Sequence, residues 1–447
     1  MFMEHVGNLD LNSLIKNNDR ILVAFSGGPD SVFLVKKLLE LKNEINFEFS
    51  ICYINHKLRN EAYFEENWIK NFAKKYDLKY YIFRVDVLGF SKKKKISIET
   101  AGRILRYKIL NKISKIENYN KIATAHHLND AFETFLLNTI RGSGIFGLVL
   151  KPKYKNIIRP LILYSKEEIL SSLNADEYLI DKTNFQSEFS RNFIRNEVVS
   201  RIKEKFPNYI KGFRKTYLNL LELNNYYSRK FKKLFRASLI YKDNNIKIFR
   251  RSNFLNVKNY ELKMFFSKII KEPSFEHLEM ILKIVKNEGK TNISKNYFFE
   301  VRANFIGIYK KPLNFDYLLY IYPKNEIIYI KEYGMKIIVS VSNKPKIGPF
   351  ILNFNLSKIF GPIVIRKRKK GDRVSNKKVK EVFIDYKIPN FIKNFIPIVE
   401  KEKKLYIPVE GYCEKGEKFL IIEFQCPIFK EIKVLNKRGP LKNFQKL

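Results

Sequence analysis

A glycine turn near the start of the chain has the residue types that bind a phosphate group. It follows an apolar run at 21–25 and reads Ser26, Gly27, Gly28, Pro29, Asp30, Ser31. Apolar residues then recur at helical spacing to Leu41, so the segment is predicted to be strand, turn and helix. Such a turn directs backbone N–H groups and a helix N-terminus at one point, and glycines let a ligand approach closely. The two serine hydroxyls add donors, and Asp30 can cap the helix or hold Mg²⁺.

Two familiar phosphate loops are absent at this turn. Neither the Walker A pattern nor the dinucleotide pattern G-x-G-x-x-G is found there. The pattern S-G-G-x-D-S instead resembles the pyrophosphate-binding loop of the ATP-pyrophosphatases, which cleave ATP to AMP and pyrophosphate. The simpler alternative is a tight turn in which Asp30 only caps the helix.

A second polar group recurs every three residues. His127, Asp130 and Glu133 would lie on one face of a helix that begins near Leu128. One histidine and two carboxylates suit a magnesium ion and a cationic amine, although they are too few to specify a metal site. The alternative is a buried histidine that is satisfied within the core.

The predicted elements bring these two groups together. Strand-like runs at 21–25, 49–55, 80–87 and 122–125 alternate with helical patterns, which predicts an α/β domain with a doubly wound parallel sheet. Ligands bind at the carboxyl ends of the strands in such sheets. The glycine turn, Asn55-His56 and His126-His127 all follow a predicted strand. We therefore expect one site at that edge.

Other polar segments of the first half are less specific. Arg103 and Arg106 are three apart on a predicted helix, and a solvated helix face explains them equally well. The segment 141–147 contains G-x-G-x-x-G, but it follows a helical pattern rather than a strand, so we interpret it as a loop that covers a ligand.

The composition predicts a polyanionic partner. The net charge is +40 and the pI is about 9.8, which favours nucleic acid, although a Lys-rich and Asn-rich composition is also typical of an AT-rich genome. Three cysteines without a C-x-x-C pair suit a reducing, cytoplasmic setting. No apolar stretch reaches the about 18 residues of a membrane helix, so no membrane partner is expected.

Three domains are predicted from the change in pattern along the chain. Residues 1–214 would be the catalytic domain, 215–311 a small helical domain with a basic face, and 312–447 an α+β C-terminal domain. The sharpest basic cluster of the last part is 366–373, which suits contacts with phosphates, or else a solvated loop.

Several motifs in this order resemble the tRNA(Ile)-lysidine synthases of the ATP-pyrophosphatase (PP-loop) group, in their long form with a C-terminal domain. The motifs are S-G-G-P-D-S, N-H-K-L-R, R-I-L-R-Y, A-T-A-H-H-L-N-D-A-F-E-T, R-G-S-G-I-F-G-L and R-N-F-I-R, followed by 366–373, 377–380 and 383–389. The resemblance is dense over the first half of the chain. The loop alone is shared by several families, whereas the ordered set is specific.

The resemblance implies a reaction. ATP would adenylate the carbon-2 oxygen of the wobble cytidine in the CAU anticodon of tRNA(Ile), and free L-lysine would displace AMP to give lysidine. The codon read would change from AUG to AUA. The implied cofactors are ATP and Mg²⁺, the implied partners are that tRNA and lysine, and a homodimer is left open.

The resemblance also implies roles for individual residues. The loop 26–31 would bind ATP, with Asp30 also on the metal, and the catalytic set would be Asp30, Arg106, His127 and Asp130. Lysine would be bound by Asp130 and Glu133. Contacts with tRNA are expected at Arg103, Arg191, Arg195, Arg366, Arg368, Lys370 and Arg373.

Two positions differ from the pattern of this family, and two other functions remain as alternatives. Many members have Asp-Asp where Asn129-Asp130 stands here, and Gly102 replaces a frequent alanine, which weakens a helix by about 1 kcal/mol. A sulfur-inserting tRNA enzyme is one rival, but it would need catalytic cysteines. A non-catalytic RNA-binding protein is the other, and Asn129 and the lysine bias are its only support.

Overall fold

The computed structural model describes residues 11–56, 62–179, 190–271, 273–294, 296–311 and 316–432. The chain divides into two compact units between Ser228 and Arg229. None of the described helices is long and apolar enough to cross a membrane.

The first unit is an α/β unit built on a six-stranded sheet. Its strands are β1 (Arg20–Ala24), β2 (Glu48–Asn55), β3 (Tyr80–Arg84), β4 (Lys121–Ala123), β5 (Lys153–Tyr154) and β6 (Ile157–Ile158). Its helices are α1 (Leu11–Leu14), α2 (Pro29–Leu41), α3 (Ala62–Lys75), α4 (Val87–Lys94), α5 (Ile98–Ile116), α6 (Leu128–Ile140), α7 (Lys166–Ser171), α8 (Ser190–Phe193), α9 (Ser200–Lys205) and α10 (Tyr209–Ser238). A π-helical segment, Ile194–Val199, joins α8 to α9.

The strand order is β3-β2-β1-β4-β6-β5, and every pair except β5 with β6 is parallel. Neighbouring residues of β1 enter different cores. Ile21 and Val23 pack in one cluster with residues of α2 and α3, whereas Leu22 packs in another with Leu110 and Ile113 of α5. Helices therefore cover both faces at the centre of the sheet, where β1, β2 and β4 are buried along nearly their whole length. The predicted doubly wound parallel sheet is confirmed.

The sheet places the polar motifs at one edge. The glycine turn follows β1, His56 follows β2, and His126 and His127 follow β4. Because β1 lies between β2 and β4, the chain order reverses at β1 and opens a crevice there. The glycine turn and the two histidines lie on that crevice.

The second unit begins with helices and an antiparallel sheet. Its elements are β7 (Leu239–Lys242), β8 (Ile246–Arg250), α11 (Asn259–Ile269), α12 (Phe275–Asn287), β9 (Gly289–Ser294), β10 (Tyr297–Arg302) and β11 (Phe305–Lys310). The strand order is β7-β8-β11-β10-β9. β10 pairs antiparallel with both β9 and β11.

The rest of the second unit is α+β, as predicted. Its strands are β12 (Leu318–Ile321), β13 (Glu326–Ile330), β14 (Met335–Ser342), β15 (Ile351–Asn355), β16 (Ile363–Arg366), β17 (Arg373–Val374), β18 (Lys377–Lys378), β19 (Ile398–Lys401), β20 (Lys404–Tyr406), β21 (Tyr412–Cys413) and β22 (Phe419–Gln425). They form sheets in the orders β12-β16-β19-β20 and β13-β14-β22-β15-β21, with β17 and β18 paired separately. Among the described residues of this part, one α-helix, α13 (Val379–Asp385), accompanies them.

Neither expected domain boundary coincides with a break in the described structure. The boundary at 214/215 falls inside α10, a single helix of 30 residues. The boundary at 311/312 separates residues that share a core, because Ile248 and Tyr309 pack in one cluster with Ile337 and Phe391. The division into three domains stays a prediction, and the structure itself divides once, within α10.

Candidate active site

The glycine turn is shaped by its own serines. The Ser31 hydroxyl donates to the Gly28 carbonyl at 2.9 Å and lies 3.3 Å from the Ser26 hydroxyl oxygen. Gly27 has φ +79°, and a Cβ there would lie 2.7 Å from Leu179 Cδ1, so this position requires glycine. Gly28 is the N-cap of α2 and Pro29 is its first residue, where the missing N–H costs nothing. Helix N–H groups therefore face the crevice.

Asp30 lies in the first turn of α2 and is bonded to a cation. Its Oδ1 accepts from Lys166 Nζ at 2.6 Å, and its Oδ2 lies 3.8 Å from His127 Nε2. Its side chain is about one-third exposed. The carboxylate therefore has a positive partner on one side and an imidazole on the other, at the mouth of the glycine turn.

His127 lies between the glycine turn and the acidic pair, which is Asp130 and Glu133. It is the N-cap of α6, and its backbone N–H donates to Asp130 Oδ2 at 3.0 Å. Its Nε2 lies 3.5 Å from the same oxygen, and its buried Nδ1 has no hydrogen-bond partner among the described residues. A buried polar atom without a partner is uncommon, and it fits a group that is satisfied when a ligand binds. The ring is thus held between the carboxylates of Asp30 and Asp130.

Two arginines cover Asp130 and Glu133. Arg191 contacts Asp130 Oδ1 at 3.1 Å and Glu133 Oε2 at 2.9 Å. Arg195 contacts Glu133 at 2.6 and 3.0 Å and reaches Asp130 Oδ1 at 3.4 Å. Arg191 belongs to α8 and Arg195 to the π-helical segment, an irregular helix that is frequent at functional sites. The four side chains neutralise one another beside the crevice.

Burial and neighbouring charges set the protonation states of the carboxylate and histidine side chains at this edge of the sheet. Burial raises the pKa of Asp130, but His127, His126, Arg191 and the His127 N–H outweigh it, so the pKa is below its usual value and the carboxyl stays ionised at pH 7. Burial lowers the pKa of His126 to about 4. Burial and then the nearby Arg106 lower the pKa of His56 to about 4. Both of these histidines are therefore neutral at pH 7.

Asn129, which departs from the Asp-Asp pattern, points away from the acidic pair. Its Oδ1 accepts from the backbone N–H of Lys166 at 2.9 Å, and its Nδ2 donates to the Tyr209 hydroxyl at 3.2 Å. Lys166 is the first residue of α7, so this N–H has no acceptor within the helix. The amide thus fixes the residue whose ammonium group contacts Asp30.

We expect Asn129→Ala to lower kcat about tenfold, because Lys166 would lose the acceptor that fixes its backbone, at a cost of about 1–2 kcal/mol. Asn129→Asp should keep near wild-type kcat, since a carboxylate oxygen can accept the same N–H and the Tyr209 hydroxyl can donate. Steady-state rates at saturating substrate concentrations check both variants. Equal rates for the two variants would contradict this role.

Arg103 and Arg106 both lie on α5 and are exposed. The Arg103 guanidinium lies 5.5 Å from the centre of the Tyr107 ring. A Cβ at Gly102, one turn before Arg106 on α5, would lie 3.7 Å from His56 Cε1, so this helix passes the end of β2. Arg106 is thus on the side of the crevice where a cation could meet a phosphate, and its catalytic role stays a prediction.

The basic cluster 366–373 needs one correction. Arg366 was expected to contact phosphate, but it is buried and bonded to Asp372 at 3.0 Å and to Glu400 at 3.1 Å. A buried guanidinium that is shared by two carboxylates forms ion pairs within the protein and is not exposed to a phosphate. Arg368, Lys370 and Arg373 are at least partly exposed, so they keep the predicted role.

Lys166 was not predicted as a site residue, and neither were the partners of Arg191 and Arg195. Lys166 is 136 residues from Asp30, and its only signal was its place after Ser165 in a capping box. Arg191 and Arg195 were expected on tRNA, whereas the structure directs both at the carboxylates. Their spacing of four residues, opposite two carboxylates three apart, was the available signal.

The fold and this loop define a PP-loop domain: a family model described by that name matches residues 3–202. The chain is 32% identical to a tRNA(Ile)-lysidine synthase of Thermosipho africanus, over 89% of this chain and 90% of that one. It is 31% identical to that of Caldanaerobacter subterraneus, over 92% of each chain. It is 34% identical to that of Clostridium tetani, over 87% of this chain and 89% of that one. The chain belongs to the tRNA(Ile)-lysidine synthase family, whose members use ATP through the PP-loop to modify tRNA.

Proposed function

We propose that this protein adenylates the carbon-2 oxygen of the wobble cytidine in the CAU anticodon of tRNA(Ile) with ATP. Free L-lysine then displaces AMP and leaves lysidine, which changes the codon read from AUG to AUA. The observation that carries the proposal is the joining of a phosphate loop to a buried acidic pair through His127, whose Nε2 lies 3.8 Å from Asp30 and 3.5 Å from Asp130.

The first step needs positive charge at the α-phosphate of ATP. We assign the pyrophosphate to the N–H and hydroxyl groups of the turn 26–31, and the positive charges to Arg106 and Lys166, of which Lys166 was not predicted from the sequence. Charge that develops in a transition state is stabilised best by groups already in place. The Asp30 carboxylate would hold Mg²⁺, which binds through one or two carboxylates and the phosphates and neutralises charge there.

The second step needs a neutral amine from a substrate that arrives as a cation. We assign the ammonium groups of lysine to Asp130 and Glu133, which already bind two cationic side chains. Arg191 must move for lysine to take its place, because it contacts both carboxylates. The ionised Asp130 carboxylate would then lie within reach of the lysine ammonium group and could accept its proton.

The RNA contacts follow from charge and exposure. We assign phosphate contacts to Arg103, Arg368, Lys370 and Arg373, whose side chains are at least partly exposed. Arg191 and Arg195 are assigned to the acidic pair instead of the tRNA. We place the reaction in the cytoplasm, which the sparse free cysteines suit, and a homodimer is proposed from the resemblance alone.

The sulfur-inserting alternative lacks a nucleophile in the first unit. Cys52 is buried inside β2, and burial raises the pKa of its thiol to about 12. A thiol of that pKa is almost wholly protonated at pH 7 and a poor nucleophile. Cys413 and Cys426 belong to the second unit.

The test is incorporation of radiolabelled lysine into an unmodified tRNA(Ile) transcript that bears CAU. We expect label that depends on ATP, Mg²⁺ and RNA, with one pyrophosphate and one AMP released for each lysine joined. A transcript whose wobble cytidine is replaced by uridine is the matched control and should stay unlabelled. Absence of label on the CAU transcript would refute the proposed reaction.

A further inference from the structure

An exposed row of large side chains lies on the edge strand β12. Leu318, Tyr320 and Tyr322 alternate with inward-facing residues, and each of the three is more than half exposed. These three residues, the aromatic row, include the rings of Tyr320 and Tyr322. Large apolar groups exposed side by side commonly mark a binding surface.

The aromatic row begins at the wall of a basic cavity. Leu318 pairs with Arg366 across the β12–β16 ladder, and the next residue, Lys367, contacts Asp316 at 3.2 Å. Asp316 and Lys367 both line a cavity of about 860 Å³. The basic side chains of that cavity are Lys367, Arg368, Lys369, Lys370, Lys378 and Lys380. Cations and exposed rings are therefore continuous in this part of the second unit.

The acidic groups of the cavity do not cancel this charge. Asp372 accepts from Arg366 through both oxygens, at 3.0 Å each, and from the backbone N–H of Lys369. Asp316 is paired with Lys367 and is mostly exposed. Six basic groups thus face two carboxylates, of which one already belongs to the buried Arg366. The cavity attracts an anion.

We propose that the aromatic row stacks the bases of an unpaired stretch of RNA whose phosphates enter the basic cavity. Proteins that bind single strands combine a basic groove with aromatic side chains on which bases stack. The row from Leu318 to Tyr322 spans about 13 Å, at about 3.3 Å per residue, which is room for several stacked bases. The inference rests on the proposed function, because a tRNA carries unpaired nucleotides at its 3′ end.

The charge of the surface favours RNA over a protein partner. A protein that covered this surface would have to meet six cations as well as the rings, whereas RNA supplies phosphates and base faces together. The row also differs from the equally exposed Ile327 and Tyr329 on β13, which belongs to the other sheet and does not adjoin the cavity through a strand ladder. That pair serves as the matched control.

The test compares two RNAs at one fixed salt concentration, because affinity for RNA depends on salt. One is the complete tRNA(Ile) transcript, and the other lacks its unpaired 3′ nucleotides. The full-length Tyr320→Ala, Tyr322→Ala double variant should bind the complete transcript about tenfold more weakly than the wild type does, and the shortened transcript equally well. The Tyr320→Phe, Tyr322→Phe variant keeps both rings and should bind as the wild type does.

Three results would overturn the proposal. They are unchanged binding by the double alanine variant, an equal loss for both RNAs, and a similar loss in the Ile327→Ala, Tyr329→Ala control. A change of oligomeric state in light scattering, with RNA binding unchanged, would instead identify a surface between protein chains. Lysine incorporation by the wild type is measured in parallel. Its failure with the binding difference intact would refute the reaction and leave the stacking surface in place.

Discussion

Asp30→Ala is expected to lower lysine incorporation about 10³-fold while leaving tRNA affinity within about threefold of the wild type. The carboxylate touches Lys166 at 2.6 Å and lies at the mouth of the glycine turn, so its loss would remove the proposed Mg²⁺ ligand and release the cation that it holds. The fold should persist, because an acidic residue in the first turn of a helix contributes only about 0.3–1 kcal/mol. Pyrophosphate release and equilibrium RNA binding measure the two effects.

The control for Asp30 lies on the same helix. Glu40 is paired with Lys37 at 2.6 Å in solvent, and Glu40→Ala should leave turnover unchanged. Lys166→Met tests the partner: combined with Asp30→Ala, it should cost little more than Asp30→Ala alone, since residues that act as one unit are not additive. Wild-type-like activity of Asp30→Ala, or a parallel loss of RNA binding, would contradict the assignment of the turn.

The local parts of this site could be predicted from sequence because they are short and their geometry repeats. The change from an apolar run to helical spacing around Gly27 and Gly28 placed the turn, and the same change after β4 placed His127. A parallel sheet then brings the ends of its strands together whatever their separation along the chain. The loop, the sheet and their common edge therefore follow from periodicity alone.

The partners of these groups could not be predicted in the same way. Lys166 reaches Asp30 only because α7 follows the sheet, and the pattern of α7 itself indicates no more than a capped helix. Arg366 looked like one member of a basic run, yet the pairing of β16 with β19 places it beside Glu400 and buries it. The sequence shows that a residue is charged, but it does not show whether that residue forms a buried ion pair or binds a ligand. The difference depends on which strands pair in the fold.

Glu133→Gln is expected to lower kcat/KM for lysine at least about 10²-fold, or about 2.7 kcal/mol. The amide keeps the shape but loses the charge that balances Arg191 and Arg195, so these guanidinium groups would repel a cationic substrate. The substitution should lower the free energy of unfolding by about 1–3 kcal/mol. This is less than the cost of breaking a fully buried ion pair, because Arg195 is 41% exposed. Varying lysine at saturating ATP and tRNA gives the effect on kcat/KM, and thermal unfolding gives the effect on stability.

Which of the two reaction steps Glu133→Gln impairs shows whether Glu133 binds lysine or only maintains the structure. Adenylation of the RNA precedes lysine in the proposed reaction, so Glu133→Gln should still transfer AMP to the tRNA when lysine is absent. Glu168 is the matched control: it is also paired with an arginine, Arg214, but half exposed, and Glu168→Gln should change neither step. If Glu133→Gln stops adenylation and lysine incorporation alike, the acidic pair serves the fold or ATP. If it stops incorporation alone, the two carboxylates that Arg191 and Arg195 now cover are the place where lysine binds.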